Sequence, residues 1–281
     1  MRQAVAPPTQ PIPHGAFATD IPTTTLFWLG GSGFMLNARG TVLLVDPAIA
    51  TDPERPDRCE TGHRLLVALP IEAAAVPRAD AILYTRAYAD HLAARSARLL
   101  AHTGALYVGP PPCLTRLAAI VDHAVSMRLA RADEPISIRN VRVTPTPADH
   151  PWQLLNHGRW GAPWETDDCV GFRFETPDGT IWYPGDTRLL DAHLTARDID
   201  VHLLDASADS YHLGVEAAAR LANATGAPHL VPYHYGTYDA PTSIAFNGDP
   251  AQAAALIERA EQRIVHLGPG EPFLVRRTSR D

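Results

Sequence analysis

Ile82-Leu83-Tyr84-Thr85-Arg86-Ala87-Tyr88-Ala89-Asp90-His91 carries an apolar run straight into a cluster of charged and aromatic residues. Ala81 to Thr85 has the length and apolar content of a buried strand. His91 to Leu100 has the spacing of a helix, which Asp90 is placed to cap. A strand that runs through a polar loop into a helix is a unit of layered α/β structure. The pattern recurs: Val143 to Ala148 precedes Asp149-His150, Trp182 to Gly185 precedes Asp186, and Leu230 to Tyr233 precedes His234. Strand ends that carry Asp and His in this way converge on one edge. Imidazole nitrogens and carboxylate oxygens without thiolates are a ligand set for zinc, manganese or iron.

Upstream, Leu26 to Leu29, Phe34 to Leu36 and Val42 to Val45, the last ending in Asp46-Pro47, read as an opening β-meander. Gly31-Ser32-Gly33 is read as its hairpin, because neither a third glycine nor a helix follows to make a nucleotide loop. Downstream come a strand at Leu106 to Val108, a helix opened by Pro111, and strands at Ile136 to Ile138, Val141 to Thr144, Val170 to Phe174 and Ile181 to Tyr183. Pro177-Asp178-Gly179 reads as a hairpin turn. Strand Val201 to Leu204, helix Val215 to Asn223, strand His229 to Val231, helix Pro250 to Ala260 and strand Ile264 to Leu267 complete the pattern. Two β-rich blocks that each acquire helices predict an α/β (α+β) fold, a four-layer αββα sandwich built as one domain over residues 23–281. Residues 1–22, with prolines at 7, 8, 11, 13 and 22, read as a flexible arm.

The 24 basic and 31 acidic residues leave a net charge of -7, which disfavours nucleic acid and anionic membranes as partners. Every basic residue is Arg. The absence of Lys excludes Schiff-base and Walker-type chemistry, and no G-x-S-x-G elbow is present. Cys59, Cys113 and Cys169 are odd in number and form no C-x-x-C pair, so a reducing, cytoplasmic location is expected. No segment has the roughly 20 apolar residues of a membrane span. The expected partner is a small-molecule substrate, and a homo-oligomer stays open.

In their order these pieces resemble the metallo-β-lactamase superfamily, from about Thr24 to the C-terminus. The likeness is to its branch of ascorbate-6-phosphate lactonases and N-acyl-ethanolamine phospholipases. Leu29-Gly30 and Val45-Asp46-Pro47 resemble the opening strands, Asp90-His91 the second half of H-x-H-x-D-H, and Tyr183-Pro184-Gly185-Asp186-Thr187 the Gly-Asp-Thr segment. His212 ahead of Val215-Glu216-Ala217, with Pro232 to Thr237, is similar to the closing stretch. The resemblance implies Asp90, His91, His150, Asp186 and His234 as metal ligands and His212 as a contact to the substrate. It fails at two positions: Arg86 and Tyr88 stand where the first two histidines belong. One divalent ion, zinc ahead of manganese or iron, is therefore expected.

Arg86 cannot replace a metal outright. Lowering the pKa of a bound water from about 15.7 to about 7 is worth on the order of 12 kcal/mol, and a guanidinium has no coordination position to offer. It can stay charged and stabilise an oxyanion. Arg86 is thus expected as a fixed cation in the vacated position, with Tyr88 as a donor or weak ligand. The bland alternative is that Arg86 only salt-bridges Asp186 or another freed acid. The expected activity is hydrolysis of a lactone, ester, amide or phosphodiester by a water on the metal, with Asp90 or Asp186 positioning it. A degenerate metabolite-binding protein and an iron-dependent oxidoreductase are the rival readings. Asp46 and Asp205 are read as acids orienting histidine ligands, or simply as turn formers. Trp152, His157, Arg159, Trp160 and Trp164 either wall a substrate pocket or pack their loop.

Overall fold

Period-two alternation sorts the side chains of the first strands between two cores. In β1 (Thr25–Gly30), Leu26 and Trp28 face one core while Phe27 and Leu29 face another. β2 (Gly33–Ala38) and β3 (Thr41–Val45) repeat the pattern, with Phe34, Leu36, Leu43 and Val45 turned inward. The computed structural model describes residues 3–121, 125–150, 168–209, 211–243 and 248–278.

A two-residue strand β4 (Arg64–Leu65) precedes β5 (Ala81–Leu83), β6 (Leu106–Gly109) and β7 (Met127–Leu129). These are followed by β8 (Ile136–Ile138), β9 (Val141–Pro147), β10 (Val170–Thr176), β11 (Gly179–Tyr183), β12 (Val201–Asp205) and β13 (His229–Tyr233). β14 (Tyr238–Asp239) pairs with β4, and β15 (Pro272–Leu274) pairs with β1. The first sheet runs β15-β1-β2-β3-β5-β6-β7 and the second β13-β12-β11-β10-β9-β8.

Inward residues of both sheets, among them Trp28, Phe34, Leu83, Phe172, Tyr183, Val201 and Tyr233, form one central core. Helices α1 (Ala94–Leu100) and α2 (Pro111–Ile120) cover the outer face of the first sheet through Ala97, Leu100, Cys113 and Leu117. On the second sheet, α3 (Asp191–Leu194), α4 (Gly214–Thr225), α5 (Pro250–Ala254) and α6 (Ala260–Arg263) form the outer layer, with Leu221 and Ala253 against Trp182 and Leu230. The result is the expected αββα sandwich.

Three local expectations change. The helix after Asp90 starts at Ala94, because the Glu60 carboxylate accepts from Arg95 N and Ser96 N while Asp90 turns to Arg86. The helix expected over Pro250 to Ala260 breaks after Ala254, and Arg259 adopts φ 53. Ile264 makes a single bridge to Leu230 rather than opening a strand, and Pro272–Leu274 pairs with β1 instead. The N-terminal segment, read as a loose arm, lies along the body from residue 3. Ala6 N donates to Gly236 O at 3.1 Å, Ile12 N donates to Pro70 O at 3.0 Å, and Ile12 and Phe17 are buried. Proline removes the donors a strand would need, yet the apolar side chains still gain by leaving water.

Candidate metal centre

β11, β12 and β13 run parallel, and β9 shares their direction because β10 is antiparallel to both β9 and β11. The C-terminal ends of these strands therefore open on one edge. Asp186 follows β11, Asp205 ends β12 and His234 follows β13, while His150 lies three residues beyond β9. β3 and β5 are parallel in the first sheet and deliver Asp46 and the Arg86 to His91 loop. The sheets are tied here by Val170 N donating to Thr85 O at 3.0 Å.

Asp46 and His234 adopt φ 46 and φ 57, left-handed conformations that cost roughly 1 kcal/mol or more for side chains of this kind. The surrounding contacts hold them there. Gly31 O receives His234 N at 3.2 Å; Gly31 itself has φ 53, and a Cβ on it would lie 2.7 Å from Tyr238 Oη. Asp46 accepts from Thr85 N at 2.8 Å, Thr85 Oγ1 at 2.6 Å and Tyr183 Oη at 3.0 Å. Its Oδ2 also lies 2.8 Å from His91 Nδ1. That contact fixes the ring so that Nε2 faces Asp186 Oδ2 at 2.8 Å and Asp90 Oδ2 at 3.4 Å.

Arg86 is the basic partner of this edge. Its Nη2 lies 2.6 Å from Asp186 Oδ2 and 3.4 Å from Asp90 Oδ2, and its guanidinium carbon sits 4.6 Å over the Tyr88 ring. Nε and Nη1 of this buried side chain have no hydrogen-bond acceptor among the described residues. Asp205 approaches His234 Nδ1 at 3.3 Å and His212 Nδ1 at 3.5 Å, while His212 Nε2 is 3.3 Å from Asp186 Oδ2. The His212 and His234 rings stack at 5.4 Å.

Burial works against charge on Arg86, but Asp186 and Asp90 outweigh it and keep the guanidinium protonated. Burial disfavours an ionised Asp186, yet Arg86 and the neighbouring imidazoles hold its carboxyl well below the usual range. His212 is pushed towards neutrality by burial and pulled back by Asp186 and Asp205 to about 9. His150 goes the other way: burial and Arg86 keep its ring neutral. His91, between carboxylates on both ring nitrogens, is raised well above the ordinary imidazole range despite its burial, chiefly by Asp186. A divalent ion taken up at Nε2 would displace that proton.

Two sets of donors converge: Asp90, His91, Asp186 and His234, and Asp186, Asp205, His212 and His234. In each, one ligand atom per residue lies within 4.8 Å of the others. Bonds of about 2.0–2.2 Å place neighbouring ligand atoms about 3–3.5 Å apart. The 3.4 Å from His91 Nε2 to Asp90 Oδ2 lies in that range, the 2.8 Å to Asp186 Oδ2 is a hydrogen bond that an ion would replace, and the nitrogen and oxygen donors of each set suit a divalent ion.

Four of the five ligands expected from sequence are thus brought together, while His150 enters neither set and stands 5.0 Å from His212, ring to ring. Arg86 and Tyr88 stand at the sequence positions where the resemblance implies its two partner histidines, and the Tyr88 ring is 6.0 Å from that of His150. Asp205 and His212 join a donor set that sequence reasoning did not assign to a metal; the signal was Asp205 ending a strand beside the one that leads to Asp186. Arg86 makes the salt bridge to Asp186 that the bland alternative named. The loop with Trp152, His157, Arg159, Trp160 and Trp164 lies outside the described residues. None of the three cysteines is disulfide-bonded, and no helix among the described residues is long and apolar enough to cross a membrane.

The sequence profile of the beta-lactamase superfamily domain matches residues 41–235. A protein of Pyrobaculum calidifontis named UPF0173 metal-dependent hydrolase is 30% identical over 249 residues, covering 87% of this chain and 96% of its own. The fold is also that of Igni18, a metallo hydrolase from Ignicoccus hospitalis, with TM-score 0.64, 18% identity and coverage of 89% and 97%. A possible metal-dependent hydrolase from Veillonella parvula superimposes with TM-score 0.68, 16% identity and coverage of 90% and 100%. On its profile match, its curated relatives and its four-layer architecture, the chain belongs to the β-lactamase superfamily, alongside the UPF0173 metal-dependent hydrolases.

Proposed function

We propose that this protein is a hydrolase of small molecules that works with one divalent ion, zinc first, and with Arg86 as a fixed cation beside it. The observation that carries this reading is the convergence of buried acids and imidazoles on Asp186, with Arg86 at 2.6 Å where the family places a second ion. The ligands are drawn from the donors around Asp186. A bound ion supplies a Lewis acid and lowers the pKa of water.

The chain's own residues do the rest. Arg86 Nε and Nη1, which have no acceptor among the described residues, donate to an anionic or developing negative oxygen of the substrate. Tyr88 holds the guanidinium in place from below. Neutral His150 lines the same edge as a hydrogen-bonding group, since burial and Arg86 oppose its protonation. Asp90 and Asp186 orient the nucleophile's proton. The bond cleaved is that of a lactone, ester, amide or phosphodiester, in keeping with the likeness of the His212 and Pro232 to Thr237 segments to the lactonase and phosphodiesterase branch. A cytoplasmic location agrees with three cysteines that form no disulfide.

Elemental analysis of protein purified without added metal, together with a panel of aryl esters, lactones and bis-aryl phosphodiesters, tests this. About one equivalent of metal and turnover abolished by a chelator are expected. Metal-free protein with no turnover, or turnover indifferent to the chelator, ends the proposal. Arg86→His with Tyr88→His is expected to raise the content to about two equivalents.

A further inference from the structure

Asp186 is a shared carboxylate with one crowded oxygen and one that makes no hydrogen bond among the described residues. Oδ2 faces Arg86 Nη2 at 2.6 Å and His91 Nε2 at 2.8 Å. Oδ1 makes no hydrogen bond among the described residues and turns towards His234 Nδ1 at 3.4 Å. Asp205 approaches the same imidazole, with its Oδ1 3.3 Å from His234 Nδ1, while His212 Nε2 lies 3.3 Å from Asp186 Oδ2. Asp205 Oδ2 and His212 Nδ1 are buried and lie 3.5 Å apart, and neither makes a hydrogen bond among the described residues. Ligand atoms held at such separations without bonding to one another are arranged as they would be around a shared cation.

The charge inventory points the same way. Arg86 already offsets Asp90 and Asp186, whereas no guanidinium among the described residues reaches Asp205, whose ion-pair partners are His212 and His234. A buried carboxylate with no fixed cation is unfavourable, and an ion placed between Asp90 and Asp186 would crowd the Arg86 guanidinium. Asp186, Asp205, His212 and His234 are each at most 3% exposed, and together they offer two oxygens and two nitrogens.

We propose that the ion is held by Asp186, Asp205, His212 and His234 instead of by Asp90 and His91. This placement rests on the metal-dependent reading above and leaves Arg86 to offset Asp90 and Asp186 while the ion offsets Asp205. The competing account of Asp205 is that it only orients His234.

Cobalt(II) binding to the full chain distinguishes the accounts. It is followed by titration calorimetry and visible absorption, with far-ultraviolet circular dichroism confirming that each variant folds. Expected are one equivalent in the natural protein, retention in Asp90→Asn, and at least about tenfold weaker binding in Asp205→Asn and His212→Gln. His212→Cys should bind cobalt and show a near-ultraviolet thiolate-to-cobalt band, a gain of signal that a merely structural role for His212 cannot produce. Tight binding by His212→Gln, loss in Asp90→Asn, or His212→Cys without the band overturns the placement and leaves the hydrolase reading standing. A natural protein that binds no cobalt, zinc or manganese overturns both.

Discussion

Replacing Arg86 by Met keeps most of the side-chain volume and removes the charge that faces buried Asp186 and half-buried Asp90. At separations of 2.6 Å and 3.4 Å, and with an effective dielectric constant of about 20, the gross attractions are about 6 and 5 kcal/mol. Most of that is offset by the cost of burying the ions. Removal of Arg86 nevertheless leaves these carboxylates with imidazole partners alone among the described residues, in a site where Asp186 is 1% exposed, for a net loss of about 3–5 kcal/mol. In a chain of this size that lowers the melting temperature by about 10 °C. The assay is thermal and urea unfolding of both proteins in chelator at neutral pH, repeated with excess zinc. The sign with pH is set by Asp186, whose carboxyl Arg86 helps to hold below its ordinary value. That contribution is present above about pH 4 and fades as pH falls, so the gap between the two proteins narrows in acid. Zinc should restore more stability to the variant than to the natural protein. A variant melting within about 2 °C of the natural protein in chelator would show that Arg86 neutralises nothing of consequence.

Other perturbations probe the supports of the site and the rim of the sandwich. Asp46→Asn weakens the acceptor shared by His91, Thr85 and Tyr183; if His91 coordinates the ion, affinity measured by calorimetry should fall about 10–100-fold, and if the ion lies towards His212 the fall should be under tenfold. Gly171→Ala would set a Cβ 2.5 Å from Pro184 O and 2.6 Å from Thr146 Oγ1, displacing the segment that leads to Asp186. A loss of about 1–3 kcal/mol in urea unfolding is expected, and an unchanged midpoint contradicts the close packing. Asp178 accepts from Arg39 Nε at 2.9 Å, Thr24 N at 2.8 Å and Thr24 Oγ1 at 2.7 Å. The Arg39 hydrogen bond, chiefly, lowers its carboxyl to about 2. The stabilisation is complete above the unfolded value near 4 and disappears as pH falls through 2. With Arg39 about half exposed, Asp178→Asn should therefore cost about 1 kcal/mol at neutral pH and nothing near pH 2. A gap that persists at pH 2 contradicts the assignment.

The strands and their order were legible because period-two alternation and turn chemistry act over a few residues. Leu26, Trp28, Phe34 and Leu36 announce their core face with no help from the rest of the chain. The same locality explains what was missed. The start of α1 depends on Glu60, a remote side chain that bonds its first turn, and the edge partner of β1 comes from the far end of the chain. Asp90, His91, Asp186 and His234 could be named as candidate ligands because each follows an apolar run. Asp205 and His212 gained standing only when parallel β11, β12 and β13 brought them against Asp186.

Sequence alone determined the layer architecture and the chemical character of the edge, since both follow from local patterning and residue type. Tertiary structure decided that Arg86 meets Asp186 at Oδ2 and that Asp205 Oδ2 and His212 Nδ1 lie 3.5 Å apart without bonding among the described residues. Such choices are made by burial and by charges a few ångströms apart that belong to strands distant in the chain. No local pattern encodes those distances.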